Sequence, residues 1–106
     1  MFAAQFIFKP GVYDERFHEL DESIDAFALT LEGFLGVERW QSTDGTLKNS
    51  IYYFEDMETL KVFASFENHK IAKAEYAKWY QGYRVVIGEI TAAYGDGKLS
   101  GIASAI

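Results

Sequence analysis

Between Phe66 and Tyr80 the chain reads FENHKIAKAEYAKWY, and His69, Lys73, Tyr76 and Tyr80 recur there at helical intervals. On a helix turning by about 100° per residue, this spacing sets all four on one narrow stripe, flanked by Ala72, Ala77 and Trp79. An imidazole beside phenols and an indole is suited to holding a flat aromatic molecule. The rings stack on it, and the imidazole exchanges a proton with it near neutral pH. His69 is therefore the candidate catalytic base, and Tyr76, Trp79 and Tyr80 are candidate substrate-binding walls. The inward face of an ordinary core helix has the same pattern, and a histidine at a helix start is commonly held by backbone or a carboxylate. Lys73, in the middle of the stripe, shifts the balance toward an opening, because a buried ammonium needs a partner or a route to water.

Trp40 and Tyr52, large aromatics on segments that read as strands, extend the candidate walls, although such residues are also ordinary core. Arg84, just beyond Tyr80, is suited to holding a carboxylate or phenolate, and equally to pairing with a glutamate on a neighbouring strand. His18 and Glu22 have the i, i+4 spacing of helical metal ligands. The surrounding run DERFHELDES is a charged face with no second histidine, and it reads as solvated rather than metal-binding. A glycine-rich phosphate loop and a Ser-His-Asp pattern are both missing, which sets aside nucleotide use and the common hydrolases.

The chain around these residues is 106 residues long, the size of one domain, with 49% hydrophobic and 17% aromatic residues and a formal net charge of −6. That composition supports a sizeable core. The acidic balance, with scattered Lys and Arg, argues against nucleic acid or an anionic membrane as partner. With no cysteine, disulfides, thiolate nucleophiles and cysteine-bound metals are excluded. The N-terminal MFAAQFIFKPG lacks the basic head of a leader, and no stretch approaches the ~20 apolar residues of a membrane span, so the expected location is cytoplasmic.

Residues 2–9 alternate as a strand, with Phe2, Ala4, Phe6 and Phe8 on one face, and Pro10-Gly11 stops it. Asp14 is placed to cap a helix in which Phe17, Leu20, Ile24, Phe27, Ala28 and Leu31 form the apolar stripe, ending near Gly33. Two strands follow around Thr43-Asp44-Gly45, and Asp56 caps a second helix, METLKVF, with a weak break at FENH before HKIAKAEYAKWY. YRVVIGEITAAYG reads as the last strand. The order β-α-β-β-α-β predicts an α+β, ferredoxin-like fold: a four-stranded antiparallel sheet with two helices on one face. Residues 1–95 form the domain and 96–106 a C-terminal tail. Apolar residues on both faces of the outer strands predict a second layer on the uncovered face, most simply a second copy of the chain.

Three runs, LEGFLGVERWQSTDG, IYYFED and NHKIAKAEYAKWYQGYRVVIGEI, together resemble the antibiotic-biosynthesis-monooxygenase-like family of the dimeric α+β barrel superfamily, over about residues 1–95. The resemblance implies a homodimer of ferredoxin-like subunits with a pocket between helices and sheet. Some members oxidise polycyclic phenols with molecular oxygen and neither metal nor flavin; others degrade haem, and many have no known activity. His69 matches the family's helix histidine, Trp79 and Tyr80 its Trp-Tyr pair, and Arg84 the basic residue that follows. Phe54 stands where many relatives carry Trp. The haem-degrading members fit less well: their helix Trp falls at Phe63, their haem-ligating His near Lys73, and no Asn precedes Asn49 to match their strand Asn. The leading expectation is a cofactor-independent monooxygenase-like protein acting on a small phenol or quinol. In it, His69 is the base, Trp40, Tyr52, Tyr76, Trp79 and Tyr80 hold the rings, and Arg84 stabilises negative charge. A non-catalytic ligand-binding or stress-associated dimer is the alternative, and a haem-binding protein the third reading.

Overall fold

The computed structural model describes residues 1–99 and follows the expected order with one helix more. The elements are β1 (Phe2–Pro10), α1 (Glu15–Thr30), β2 (Phe34–Gln41), β3 (Lys48–Phe54), α2 (Met57–Ala64), α3 (Glu67–Glu75), a short 3₁₀ turn (Tyr76–Lys78) and β4 (Tyr80–Glu89). The sheet is antiparallel in the order β2-β3-β1-β4, the ferredoxin-like arrangement. Among the described residues no helix is long and apolar enough to cross a membrane.

Local chemistry accounts for the boundaries. Asp14 caps α1, its Oδ1 accepting from the Phe17 backbone N–H at 2.8 Å, and Asp56 caps α2 by accepting from the Thr59 N–H at 2.7 Å. In the β2-β3 hairpin, Asp44 Oδ1 accepts from Ser42 Oγ, Thr46 Oγ1 and the Thr46 N–H. These bonds hold the Asp44 carboxyl down at about 2, and Gly45 supplies the positive φ of 74° that the turn needs.

Residues paired across an antiparallel ladder share a face, so the register sorts the side chains. Phe2, Ala4, Phe6 and Phe8 face the helices with Tyr52 and Phe54 of β3 and Tyr83, Val85 and Ile87 of β4. The core lies under α1 and α2, where Ile24, Ala28, Leu60 and Phe63 meet Tyr52 and Phe54. The helix layer does not extend over the β4 edge, where Tyr83, Val85 and Ile87 remain 42–49% exposed. The opposite face carries Ala3, Ile7, Ile51, Trp40 and Val86 among polar residues.

Three sequence expectations change. The break at FENH separates α2 from α3 fully: Ser65 caps α2, and α3 starts at Glu67. The second helical run stops at Glu75 and tightens into the 3₁₀ turn, so Trp79 and Tyr80 follow the helix instead of riding on it. The last strand begins at Tyr80 and ends at Glu89, and residues 90–94 form no strand. Of the expected tail, 96–106, only 96–99 fall among the described residues.

Candidate functional site

Between the helices and the sheet lies a cavity of about 530 Å³, within the size range of small-molecule sites. Ala4, Phe6 and Phe8 form its floor, α1 and α3 its roof, and Tyr83, Val85 and Ile87 its side wall over the half-exposed β4 edge. Its lining is predominantly apolar and aromatic, with polar groups at separate places.

His69, on the first turn of α3, holds one of those places. It is half-buried; Nδ1 lies 3.3 Å from the Phe63 carbonyl oxygen, and the ring meets Phe63 edge-on at 4.9 Å. A carbonyl only accepts, so the tautomer that satisfies it carries its hydrogen on Nδ1 and leaves the Nε2 lone pair available. Burial lowers the imidazole pKa below its ordinary value. The bond to the Phe63 carbonyl opposes that shift, and the charge of Lys73 one turn later adds to it. His69 is therefore neutral at pH 7 and acts as an acceptor.

A second place is the aromatic wall around Tyr80. Its ring packs 4.8 Å from Phe8, 5.3 Å from Phe6 and 5.8 Å from Phe17, with Tyr13 at 6.2 Å. Burial, and to a lesser extent Tyr13 and Asp21, push its phenol well above its ordinary pKa, which keeps it neutral. Tyr76, on the 3₁₀ turn, meets Tyr83 edge-on at 4.7 Å, so the two rings form one side of the cavity.

The third place lies where α1, β2 and β3 meet. Asp25 Oδ1 accepts from the Tyr52 hydroxyl at 2.8 Å, and Arg39 Nη2 reaches both Asp25 oxygens, at 3.1 and 2.8 Å, and the Tyr52 oxygen at 3.2 Å. Tyr52 is 8% exposed, and burial followed by the Asp25 charge raises its pKa. Asp21, one turn before Asp25, also lines the cavity; burial and then Asp25 raise its carboxyl, while Arg39 and His18 oppose. Among the described residues no cluster of three or more His, Asp or Glu is placed to hold a metal ion.

The structure thus brings His69, Tyr52, Tyr76 and Tyr80 together on the cavity wall, whereas Trp40, near the end of β2, borders the cavity but lies with Asn49 and Ile7 on the uncovered sheet face, 62% exposed. It does not bring Trp79 or Arg84 to the cavity wall. Trp79 is 1% exposed and donates from Nε1 to Asp14 Oδ1 at 2.9 Å, while Gly11 N–H bonds its carbonyl at 2.6 Å. A Cβ at Gly11 would sit 2.7 Å from that carbonyl oxygen, so this close approach needs glycine. The indole therefore ties the end of the 3₁₀ turn to the start of α1 as a core residue. Arg84 pairs across the ladder with Ile7, whose side chain is on the sheet face away from the helices, and it is exposed there. Among the described residues the cations that line the cavity are Lys48, Lys73 and Arg39. Sequence reasoning missed Arg39 together with Asp21 and Asp25, although Phe17, Asp21 and Asp25 recur every fourth residue, next to the apolar stripe of α1.

No protein-family model and no curated protein sequence matches this chain. Solved structures do. SnoaB from Streptomyces nogalater, a cofactor-independent oxygenase, superposes with a TM-score of 0.70 at 10% identity, covering 87% of this chain and 94% of that one. The chain has its fold. Rv0793 from Mycobacterium tuberculosis gives a TM-score of 0.69 at 11% identity over 89% of this chain and 98% of its own. An antibiotic biosynthesis monooxygenase gives 0.62 at 11% identity over 86% and 99%. The fold is therefore the antibiotic-biosynthesis-monooxygenase-like one expected from the sequence.

Proposed function

We propose that the chain binds a small phenol- or quinol-type aromatic in the cavity between helices and sheet, and oxidises it with molecular oxygen without a resident cofactor. The observation that carries this reading is His69 on the wall of an aromatic-lined cavity of about 530 Å³, its Nδ1 at the Phe63 carbonyl and its Nε2 bonded to no described residue. Nε2 takes the proton of the bound hydroxyl, or of the carbon acid in its keto form, and the resulting anion is electron-rich enough to reduce oxygen directly. One oxygen atom enters the substrate as a new carbonyl, the other leaves as water, and the substrate supplies the electrons. Phe6, Phe8, Tyr80 and Tyr83 hold the ring system and exclude water, which keeps the anion reactive. The likeness in fold to SnoaB supports oxygenase chemistry of this class.

The same reading takes the chain as a homodimer joined through the sheet face that the helices leave uncovered. Ile7, Trp40 and Leu47 border a shallow depression there, which a second copy would cover.

Oxygen consumption with anthrone tests the chemistry. Wild type should convert it to anthraquinone and water at a rate that His69→Ala abolishes while its circular dichroism stays unchanged. Equal turnover by the variant would remove His69 as the base. Saturable binding with no oxygen uptake across a panel of phenols and quinols would favour a non-catalytic binding protein.

A further inference from the structure

Ser50 stands in the middle of the helix-facing side of the sheet, where β3 pairs it with Phe6 of β1 and with Arg39 of β2. It is 9% exposed and lines the cavity, and apart from the tyrosines and Trp79 it is the only buried polar side chain among the described residues. Its hydroxyl makes no hydrogen bond to any described residue. Tyr52, the next residue of β3 on the same face, has spent its own hydroxyl: the hydrogen goes to Asp25 at 2.8 Å and the oxygen accepts from Arg39 at 3.2 Å. An unbonded hydroxyl at such a place costs free energy that an alanine would avoid. Burial keeps bulk water from it, and the cavity leaves it open to a ligand.

Position decides which part of a ligand it meets. Residues paired across a ladder hold their Cβ atoms about 4.5–5.5 Å apart. Phe6, opposite Ser50, is the centre of the ring cluster that holds the aromatic, with Phe8 at 5.1 Å, Tyr80 at 5.3 Å and Tyr83 at 5.5 Å. An oxygen on the edge of a ring system packed on Phe6 therefore comes within reach of the Ser50 hydroxyl. That hydroxyl has one hydrogen to give. A ring carbonyl takes it and brings no donor of its own. A ligand hydroxyl meeting Ser50 puts two hydrogens to one bond and leaves one of them unsatisfied. A carboxylate would give up its hydration for one neutral donor and depend on Lys48, two residues along the same face.

We infer that Ser50 is a specificity-determining residue of the cavity, its hydroxyl donating to a carbonyl oxygen on the bound aromatic. This is a second point of recognition, apart from the hydroxyl at His69. The inference rests on the proposed aromatic-binding function and adds to it a requirement on another substituent of the ligand.

Isothermal titration calorimetry with matched bicyclic phenols tests it. The probes are 5- and 7-hydroxy-1-tetralone, their carbonyl-free counterparts 5,6,7,8-tetrahydro-1- and -2-naphthol, and 5-hydroxy-1-naphthoate, titrated into wild type and Ser50→Ala. The better tetralone should bind wild type about fivefold tighter than its counterpart, as one neutral hydrogen bond implies. Ser50→Ala should cut that preference below about twofold and leave the tetrahydronaphthols within about twofold of wild type. Because the hydroxyl has no partner in the protein, the variant's Tm by circular dichroism should be no lower than wild type's. The inference is overturned, with the aromatic cavity intact, if the tetrahydronaphthols bind but neither tetralone is tighter, or if Ser50→Ala keeps the preference. It is overturned equally if the variant loses stability and weakens every probe alike, which marks a structural hydroxyl, or if the naphthoate loses more than the tetralones. Saturable binding by none of the probes overturns the cavity reading and this inference together.

Discussion

Replacing Trp79 separates a structural role from a binding role at a residue whose position beside Tyr80 suggests the second. The indole is 1% exposed, packs edge-on against Phe17 at 5.5 Å and donates to the Asp14 carboxylate that also caps α1. Trp79→Phe keeps most of the buried apolar surface and removes one charge-assisted hydrogen bond, which costs about 1–2 kcal/mol including the smaller ring. For a domain of this length that lowers Tm on the order of 10 °C. Trp79→Ala removes the whole ring at about 3–5 kcal/mol, a large share of the roughly 5–15 kcal/mol that holds a domain folded. Urea unfolding followed by circular dichroism gives the stability loss, and calorimetric titration of 1-naphthol gives the affinity. Trp79→Phe should lose stability while its affinity stays within twofold of wild type. Stability unchanged with affinity down tenfold would place the indole on the ligand and refute the assignment.

Three further outcomes follow from the same geometry. The folded pKa of His69 lies below its unfolded value of about 6.5. The unfolded chain therefore binds a proton that the native one refuses, so stability is full above pH 6.5 and falls as pH drops from there through the lower folded value. In urea titrations between pH 7 and 5, His69→Gln should flatten that decline; an unchanged slope would refute the burial argument. Arg84→Ala should leave 1-naphthol affinity and anthrone turnover within twofold of wild type, whereas Arg39→Ala, which frees Asp25 and, on the cavity wall, Tyr52, should weaken 1-naphthol binding by about fivefold in calorimetry; the reverse ranking would contradict the placement of the two cations. Sedimentation at micromolar concentration should give a dimer that Trp40→Glu, on the uncovered sheet face, shifts toward monomer; a wild-type monomer would remove the second-layer argument.

Much of the fold is readable because it is local. Alternation marks β1, the capping aspartates Asp14 and Asp56 start two helices, and Asp44-Gly45 makes the hairpin. The uncovered face is less apolar than the sequence suggests: Ile90, Ala92 and Tyr94, which the alternation assigns to it, lie beyond β4, and Val86 stands there with Gly82, Arg84 and Gly88. The limits lie where tertiary contacts override periodicity. A stripe through His69, Lys73, Tyr76 and Tyr80 assumes one continuous helix, but the chain tightens after Glu75, and the Trp79 bond to Asp14 spans 65 residues. His69, Tyr76 and Tyr80 reach the cavity nonetheless, by way of a helix, a turn and a strand rather than one face. Arg39 escaped notice because its partners Asp25 and Tyr52 come from two other elements, and because Asp25 sits at the edge of an acidic face that is otherwise solvated, Asp21 included.

The central claim is that an aromatic hydroxyl binds in the cavity with its oxygen at His69 Nε2. The most direct measurement is the ¹⁵N spectrum of the His69 imidazole, recorded at pH 7 with and without saturating 1-naphthol. Free protein should show a neutral ring protonated at Nδ1, and the ligand should move the Nε2 resonance upfield, toward that of a hydrogen-bonded or protonated nitrogen, while Nδ1 changes little. A ring already charged without ligand, or an Nε2 signal unmoved at saturation, would contradict it.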